Sequence, residues 1–340
     1  MALIEHRCRD HLPNGGAGRI PAESLCAKPH PLHYAARRVG PHFLETLSEI
    51  VLITPCNFNP NLEYDAIFAD ANRASSSSAT REETVAFEYV NVEEAIKRRG
   101  VRMVVVGDVP SPWGEAAKGI LHIKRIEWVA VRLAYDSELL KEWAGQRNAP
   151  VLVYENERPR SGWAEILLLA ERLAPAPPLL PKNPADRVLV FGLAHEICGE
   201  GGLGWSRRLQ LIHAGLHNAG GFPERVSKYL SKKYGYSPEA GAAAGVRVAE
   251  LLGMLVARLK AQYQAGSRYY VGNSLTATDV YSATFTAMFD PLPPEQCKMD
   301  DSTRAAFTLR DAHTDEVLDP ILFEHRDMMY REYLELPLSL

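Results

Sequence analysis

The chain has 340 residues, of which 46% are hydrophobic and 24% charged, a composition typical of globular protein and a length that suggests two domains. Lysine and arginine number 38 against 42 aspartates and glutamates, so the formal net charge is −4, and no strong field favours nucleic acid or an anionic membrane as a partner. We find no apolar run of bilayer-spanning length and expect no membrane partner.

The cysteines and the N-terminus indicate the compartment. The five cysteines are scattered, odd in number and form no CxxC pair, which fits a reducing compartment and predicts no zinc or other metal site. The opening stretch MALIEHRCRDHLPNGG contains no apolar core of signal-peptide length. These features predict a cytoplasmic protein.

Residues 1–85 are the least patterned part of the chain. They are rich in Pro, His, Asn and Ser, and the serine run at 75–78 is typical of a flexible linker. We predict a poorly structured N-terminal extension there.

Residues 86–175 alternate between helix and strand patterns, which predicts an α/β unit. Short Val-rich runs bounded by turn residues indicate buried strands, and a Pro immediately before a strand is tolerated because no N–H is needed there. The predicted order is a lead-in helix at 92–98, a strand at 101–106, a helix from 112, a strand at 128–133, a helix at 137–144, a strand at 151–154, a turn with a possible edge strand at 155–160, and a helix at 161–173.

Ser111 lies where the first of these strands leads into a helix. Ser is a preferred N-cap, Pro112 suits the first helical position, and Glu115 falls in the first turn. Free backbone N–H groups and the helix dipole make such a terminus a candidate anion site. The alternative is that Ser111 only caps its helix.

The rest of the chain predicts a helical domain at 185–335. The Pro-rich residues 174–187 form a connector, since proline does not sit in helix interiors. Helices are predicted at 185–198, 238–263 and 317–334, and we expect the apolar tail to fold back onto the body. In GNSLTATD, the spacing of Thr276 and Asp279 predicts a capping box, in which Thr caps the N3 amide and Asp reaches back.

Two other motifs in this half fall short of a functional pattern. The sequence GEGGLG lacks a Lys-Ser/Thr ending and follows no predicted strand, which excludes a P-loop. His195 and Glu196 begin like the zinc motif HExxH, but Gly199 stands where the second His is needed.

Four stretches of the chain resemble the glutathione transferase superfamily: SPW at 111–113, APVLVY at 149–154, ILLLAERLAP at 166–175 and GNSLTATD at 272–279. The resemblance covers about residues 100–335. It implies an α/β thioredoxin-like domain followed by an all-α glutathione transferase C-terminal domain, a cis peptide bond before Pro150, and a homodimer.

The resemblance also implies glutathione as co-substrate, with Ser111 stabilising its thiolate as in serine-type members and the backbone of Ala149 pairing with its cysteinyl part. The implied glutathione-binding residues are Trp113, Asn148, Ala149, Pro150, Ser161 and Glu165. The chain departs from the family pattern at the third helix. The usual acidic residue followed by Ser is replaced there by Ser161-Gly162 or Glu165-Ile166.

The candidates for the second-substrate pocket are Trp113, His195, Glu196, Trp205 and Arg208, with ordinary packing or a surface ion pair as the alternative for each. Trp113 directly follows the Ser-Pro turn and could form an apolar wall for a hydrophobic electrophile.

The leading hypothesis is a glutathione S-transferase-like enzyme that conjugates the glutathione thiolate to a small hydrophobic electrophile. The alternative is a non-catalytic binding or regulatory protein of the same fold, which the altered third-helix pair supports. Glutathione-dependent reduction is disfavoured because no cysteine occupies position 111 or its neighbours.

Overall fold

A computed structural model describes residues 89–340, which lie within one compact unit of the chain. The extension predicted for residues 1–85 lies outside the described residues. The strands are β1 (Tyr89–Val90), β2 (Val101–Val105), β3 (Trp128–Arg132) and β4 (Val151–Tyr154). The helices are α1 (Val92–Lys97), α2 (Pro112–Ile123), α3 (Glu138–Ala144), α4 (Trp163–Leu173), α5 (Pro184–Cys198), α6 (Leu203–Leu216), α7 (Glu224–Tyr234), α8 (Pro238–Gln264), α9 (Ala277–Thr286), α10 (Asp301–Thr308), α11 (Ala312–Val317) and α12 (Pro320–Glu332).

The sheet is mixed, with the strand order β1-β3-β2-β4. Strands β1 and β2 run parallel to β3, whereas β4 runs antiparallel to β2. The edge strand considered for residues 155–160 is reduced to one bridge, in which the backbone amides of Leu152 and Arg160 donate to each other's carbonyls at 2.8 and 2.9 Å. This is the thioredoxin-like arrangement that the sequence predicts, with β1 and α1 added in front.

Both faces of the sheet are covered, which explains why its strands are mostly apolar. Successive side chains of a strand point to opposite faces. Met103 and Leu152 belong to the large core that includes α2, α4 and the helical domain, whereas Val104 and Val151 pack with α1 and α3 in a smaller core.

Helix α9 lies at the centre of the helical domain. All of its residues are buried, and it packs against α2, α5 and α12. Because Ser111 opens α2, the packing of α9 on α2 fixes the start of that helix relative to the helical domain.

The Asp half of the predicted capping box is present at the start of α9, whereas the N3 amide of Asp279 donates to the Thr276 carbonyl at 3.1 Å and not to its hydroxyl. The carboxylate of Asp279 accepts the backbone N–H of Thr276 at 2.8 Å, and also accepts the Thr276 hydroxyl at 2.8 Å. The backbone N–H of Tyr270 and the Nε2 of His325 add contacts at 2.9 and 3.1 Å. Asp279 therefore ties the start of α9 to the preceding loop and to α12.

Helices α7, α10 and α11 form where the sequence predicts no helix, and two further elements differ from the prediction. The helix predicted at 317–334 is split, because Pro320 starts α12 anew, with the Asp319 carboxylate accepting the backbone N–H of Ile321 at 3.0 Å. Strand β1 is an addition of two residues, too short to produce a pattern. The apolar tail does fold back, since the backbone N–H of Leu338 donates to the carbonyl of Gln296 at 2.7 Å.

Helix α8 corrects the expectation that no segment has bilayer-spanning length. Its 27 residues are long and apolar enough to cross a membrane by length and composition alone. In this fold α8 packs against α6, α11 and α12, and buries residues including Val248, Leu252 and Leu259. The apolar side chains of α8 thus contribute to the core of the helical domain.

Candidate functional site

Ser111 occupies the N-cap of α2 but does not use its side chain as a cap. Its backbone is extended, with φ −68° and ψ 119°, and its carbonyl accepts the N–H of Glu115 at 2.7 Å. Its hydroxyl makes no hydrogen bond to the first-turn amides, and within residues 89–340 no other partner is found for it. A half-buried hydroxyl and uncapped helix amides therefore lie together at this point.

Ser111 lines a cleft whose volume is about 870 Å³ counted out to its open mouth. Ala149 lines the same cleft, and the Ala149–Pro150 peptide bond is cis, as the resemblance implies. The α/β side of the cleft is formed by Val106, Val109, Ser111, Tyr135 and Ala149. The helical side is formed by Arg208, Phe222, Pro223, Val226, Leu230, Lys233, Tyr234, Asp300, Ser302 and Thr303.

The helical side of the cleft carries positive charge. Arg208 is 7% exposed, and its guanidinium hydrogen bonds with Tyr234. Burial raises the pKa of the Tyr234 phenol, and the charge and hydrogen bond of Arg208 partly offset that rise. Burial and the Arg208 charge lower the pKa of Lys233, although this residue stays exposed at the rim. The Lys233 ammonium donates to the side-chain oxygen of Asn148 at 2.9 Å, a contact that joins the two sides.

Trp113 lies in the packing between sheet and helices and does not line this cleft. Its indole N–H donates to the carbonyl of Cys198 at 2.9 Å, and its ring meets Phe285 edge-on at 4.9 Å. Together with Pro150 and Ser161 it lines a separate, small surface pocket. The apolar walls of the main cleft come instead from α7 and the segment before it.

Glu165 occupies the N-terminus of α4. Its carboxylate accepts the backbone N–H of Gly162 at 3.4 Å and pairs with Arg158 at 2.8 Å. The hydrogen bond from Arg158 lowers the pKa of Glu165, so this carboxylate is ionised at neutral pH. A ligand carboxylate that approaches Ser161 at this helix end meets a negative charge already in place.

Of the helical-domain candidates, only Arg208 lines the cleft. The Glu196 carboxylate pairs with Arg247 at 2.6 Å, and His195 is exposed. Trp205 packs edge-on against Tyr234 at 4.8 Å. The alternative of ordinary packing or a surface ion pair thus describes Glu196 and Trp205.

Sequence reasoning did not identify α7 as a wall of the cleft. Its lining residues are Val226, Leu230, Lys233 and Tyr234. Their spacing of four, three and one places them on one face of a helix, so the pattern i, i+4, i+7, i+8 was available as a signal. Asp300, Ser302 and Thr303 come from the start of α10 and carry no comparable pattern.

Other reactive groups lie away from this chemistry. Within residues 89–340 no cluster of three or more His, Cys, Asp or Glu side chains could hold a metal ion. Cys198 and Cys297 are buried, and burial raises the pKa of both thiols. Neither thiol is therefore activated as a nucleophile.

No family model matches this chain, and no curated protein matches it. Among solved structures, it is similar to a Methylobacterium radiotolerans glutathione S-transferase in complex with glutathione sulfonate, with 20% identity over 68% of this chain and 91% of that chain and a TM-score of 0.42. A rice glutathione S-transferase in complex with glutathione shares 20% identity over 71% of this chain and 93% of that chain, with a TM-score of 0.47. Maleylacetoacetate isomerase from Methylobacterium extorquens, with bound malonate and GSH, shares 19% identity over 70% of this chain and 97% of that chain, with a TM-score of 0.47. From its own strand order and helix packing, the described chain consists of a thioredoxin-like α/β domain followed by an all-helical domain.

Proposed function

We propose that this protein is a glutathione transferase-like enzyme that joins the glutathione thiolate to a small electrophile. The thiol proton goes to solvent, and the sulfur attacks an electrophilic carbon. A C–S bond forms, and the leaving group departs with the electron pair of the bond that breaks. The thiolate is the reactive form, so the rate at neutral pH depends on how far the site lowers the thiol pKa.

The hydroxyl of Ser111 is the observation that carries this proposal. At the start of α3, Ser137 behaves as an ordinary cap, and its hydroxyl oxygen accepts the backbone N–H of Leu140 at 3.1 Å. Ser111 makes no such bond and lies on the cleft wall with Ala149. A hydroxyl donor and the uncapped amides of a 12-residue helix both stabilise an anion.

The test compares Ser111→Ala with Ser137→Ala, two N-cap serines of which only one faces the cleft. The thiol pKa of bound glutathione is measured from the ultraviolet absorbance of the thiolate as a function of pH. We expect Ser111→Ala to raise that pKa by about one unit or more, the scale of one hydrogen bond to a charged group. Turnover of a chlorinated nitroaromatic at neutral pH should fall by up to about tenfold in kcat/KM, because a one-unit rise in the thiol pKa lowers the thiolate fraction by at most that factor.

Ser137→Ala is the control for the loss of a serine at a helix N-cap. Ser137→Ala loses a cap and should lower stability by about 1 kcal/mol while the thiol pKa stays unchanged. Ser111→Thr keeps a hydroxyl and should retain a lowered thiol pKa. The same thiol pKa in Ser111→Ala and Ser137→Ala would contradict the assignment.

Glu165 favours a second candidate, a non-catalytic binding or regulatory protein. Its ionised carboxylate lies at the helix start where the resemblance implies that the γ-glutamyl group binds. Calorimetric titration with glutathione, on wild type and Glu165→Gln, separates the candidates. Binding by wild type without turnover supports the binding protein, and no binding by either protein overturns both candidates.

We also propose that the protein acts as a homodimer in the cytoplasm and uses a small hydrophobic electrophile. The resemblance supports the dimer, and the scattered cysteines support a reducing compartment. Light scattering on the purified protein tests the dimer, and a single species of about 38 kDa, the mass of one chain, would contradict it. Fractionation of cells that express the tagged protein tests its location.

A further inference from the structure

Arg208 is a buried cation on the floor of the cleft. Only 7% of it is exposed, and its guanidinium lies 5.3 Å from the ring centre of Phe222 and 5.2 Å from that of Phe307. Its hydrogen-bond partner is the neutral phenol of Tyr234. Within residues 89–340, no carboxylate comes within ion-pair distance of Arg208. This isolated buried charge needs an explanation, because burying an ion without a counter-ion is costly.

The acidic residue of the described cleft wall, Asp300, already has hydrogen-bond partners of its own. The Asp300 carboxylate accepts the backbone N–H of Thr303 at 2.9 Å and the hydroxyl of Ser302 at 2.5 Å, as the N-cap of α10. Burial alone would raise the pKa of Asp300, but these hydrogen bonds lower it below its ordinary value. Asp300 therefore stabilises its own helix, and the guanidinium of Arg208 keeps N–H donors for a further partner.

The rim adds a second positive charge. Lys233 lines the same cleft, and the repulsion between it and Arg208 contributes to the lowered pKa of Lys233. An anion bound between them would relieve that repulsion. The apolar side chains of Val226, Leu230 and Phe222 surround these charges and suit a hydrocarbon or aromatic body.

We propose that the helical side of the cleft binds a carboxylate of the second substrate through Arg208, so that the preferred electrophile is an apolar molecule that carries an acid group. This inference rests on the proposed function and refines its substrate class. A carboxylate matches the planar fork of a guanidinium with two parallel hydrogen bonds, which a single ammonium cannot provide. The sulfur attack proceeds as described above, and the carboxylate takes no part in bond making.

The test measures binding before it measures turnover. Dinitrobenzoate and dinitrobenzamide are unreactive, have nearly the same shape, and differ in charge. In calorimetry on the wild-type full chain saturated with glutathione, we expect the acid to bind about tenfold to a hundredfold more tightly than the amide, the scale of a charge-assisted hydrogen-bonded pair. Equal affinities would overturn the proposal.

Variants of Arg208 assign the preference to its side chain. Arg208→Met should abolish the preference for the acid and leave amide affinity nearly unchanged, and Arg208→Lys should keep part of it. Thermal unfolding shows whether each variant folds. If Arg208→Met does not fold, Arg208→Lys decides: an undiminished preference for the acid would overturn the role of the guanidinium fork.

Turnover then separates this inference from the proposed function. A chlorodinitrobenzoate and its methyl ester serve as paired electrophiles. Turnover of both without preference for the acid would leave the transferase proposal standing and overturn this one. Acid binding that depends on Arg208, without turnover of either compound, would support this one and count against the transferase. A higher glutathione Kd in Arg208→Met, with the acid preference intact, would assign the cation to glutathione and also overturn the proposal.

Discussion

Replacing Asp279 with Ala should remove the contacts that hold the start of α9 in place. The carboxylate accepts hydrogen bonds from the backbone amides of Tyr270 and Thr276 and from the Thr276 hydroxyl, and it contacts the imidazole of His325. Asp279 and His325 are both fully buried, so water does not replace the lost oxygens. Two backbone donors, a hydroxyl and a ring nitrogen would be left in the core without partners.

The size of the loss follows from the number of groups left unpaired. Leaving one buried polar group without its hydrogen-bond partner typically costs about 1–3 kcal/mol. Several groups lose a partner here, so we expect a total loss of about 3–5 kcal/mol. For a folded unit of this size, each kcal/mol lowers the melting temperature by roughly 2–4 °C. We therefore expect Asp279→Ala to lower the melting temperature by roughly 6–20 °C.

Thermal and urea unfolding on the full chain provide the measurement. Asp279→Asn should fall between wild type and Asp279→Ala, because one amide oxygen can still accept from Tyr270 or His325. Asn183→Ala is the matched control, since Asn183 is an exposed N-cap that accepts two amides at the start of α5 and should cost about 1 kcal/mol. If Asp279→Ala costs no more than the Asn183→Ala control, the inference that this carboxylate organises the core is wrong.

Three further outcomes follow from single positions. Burial raises the pKa of Glu115, so the folded state holds the carboxyl proton more tightly than the unfolded state. The stability that this proton adds is present below the ordinary carboxyl pKa and is lost as pH rises through the raised pKa. Glu115→Gln should abolish this part of the pH dependence of stability, and an unchanged slope of stability against pH would refute the assignment. Gly204→Ala places a methyl group against the buried ring of Phe285. The variant should lower the free energy of unfolding, measured in urea, by about 1–3 kcal/mol. An unchanged free energy would mean that the ring can move aside. Cys198 and Cys297 should resist alkylation in the native protein and react after unfolding, as read by peptide mass spectrometry, and rapid native labelling of either would contradict their burial.

The sequence predicted those parts of the fold whose pattern is local. The strand beginning at Val101 and the helix opened by Pro112 follow from an apolar run and a cap signal, and both elements form at those places. The helix predicted across 317–334 was drawn too long, because Val317 ends α11 and Pro320 occupies the first position of α12. Strand β1 has too few residues for periodicity and exists only through its pairing with β3.

The candidate site was harder to predict because its members come from distant parts of the chain. A cap signal marks Ser111 but does not tell whether the hydroxyl turns to its own helix or to a cleft; the contrast with Ser137 is visible only in three dimensions. Trp113 follows Ser111 by two residues, yet the packing of α9 on α2 draws its ring towards Phe285 and away from the cleft. Nearness in sequence was a poor guide to membership of the site.

Arg207 and Arg208 show the same limit within one dipeptide. Consecutive helical residues point about 100° apart, so neighbours with the same side chain meet different surroundings. The guanidinium of Arg207 is fully buried and donates to the carbonyls of Met288 and Leu309, which makes it a clamp between α6 and the segments that follow α9 and α10. Arg208 turns to the cleft, where within residues 89–340 its charge meets aromatic rings and a phenol and no carboxylate. Backbone carbonyls already stabilise the first cation, so its substitution should damage the fold. Among the described residues the second has no anionic partner, so its substitution should change which ligands the cleft accepts.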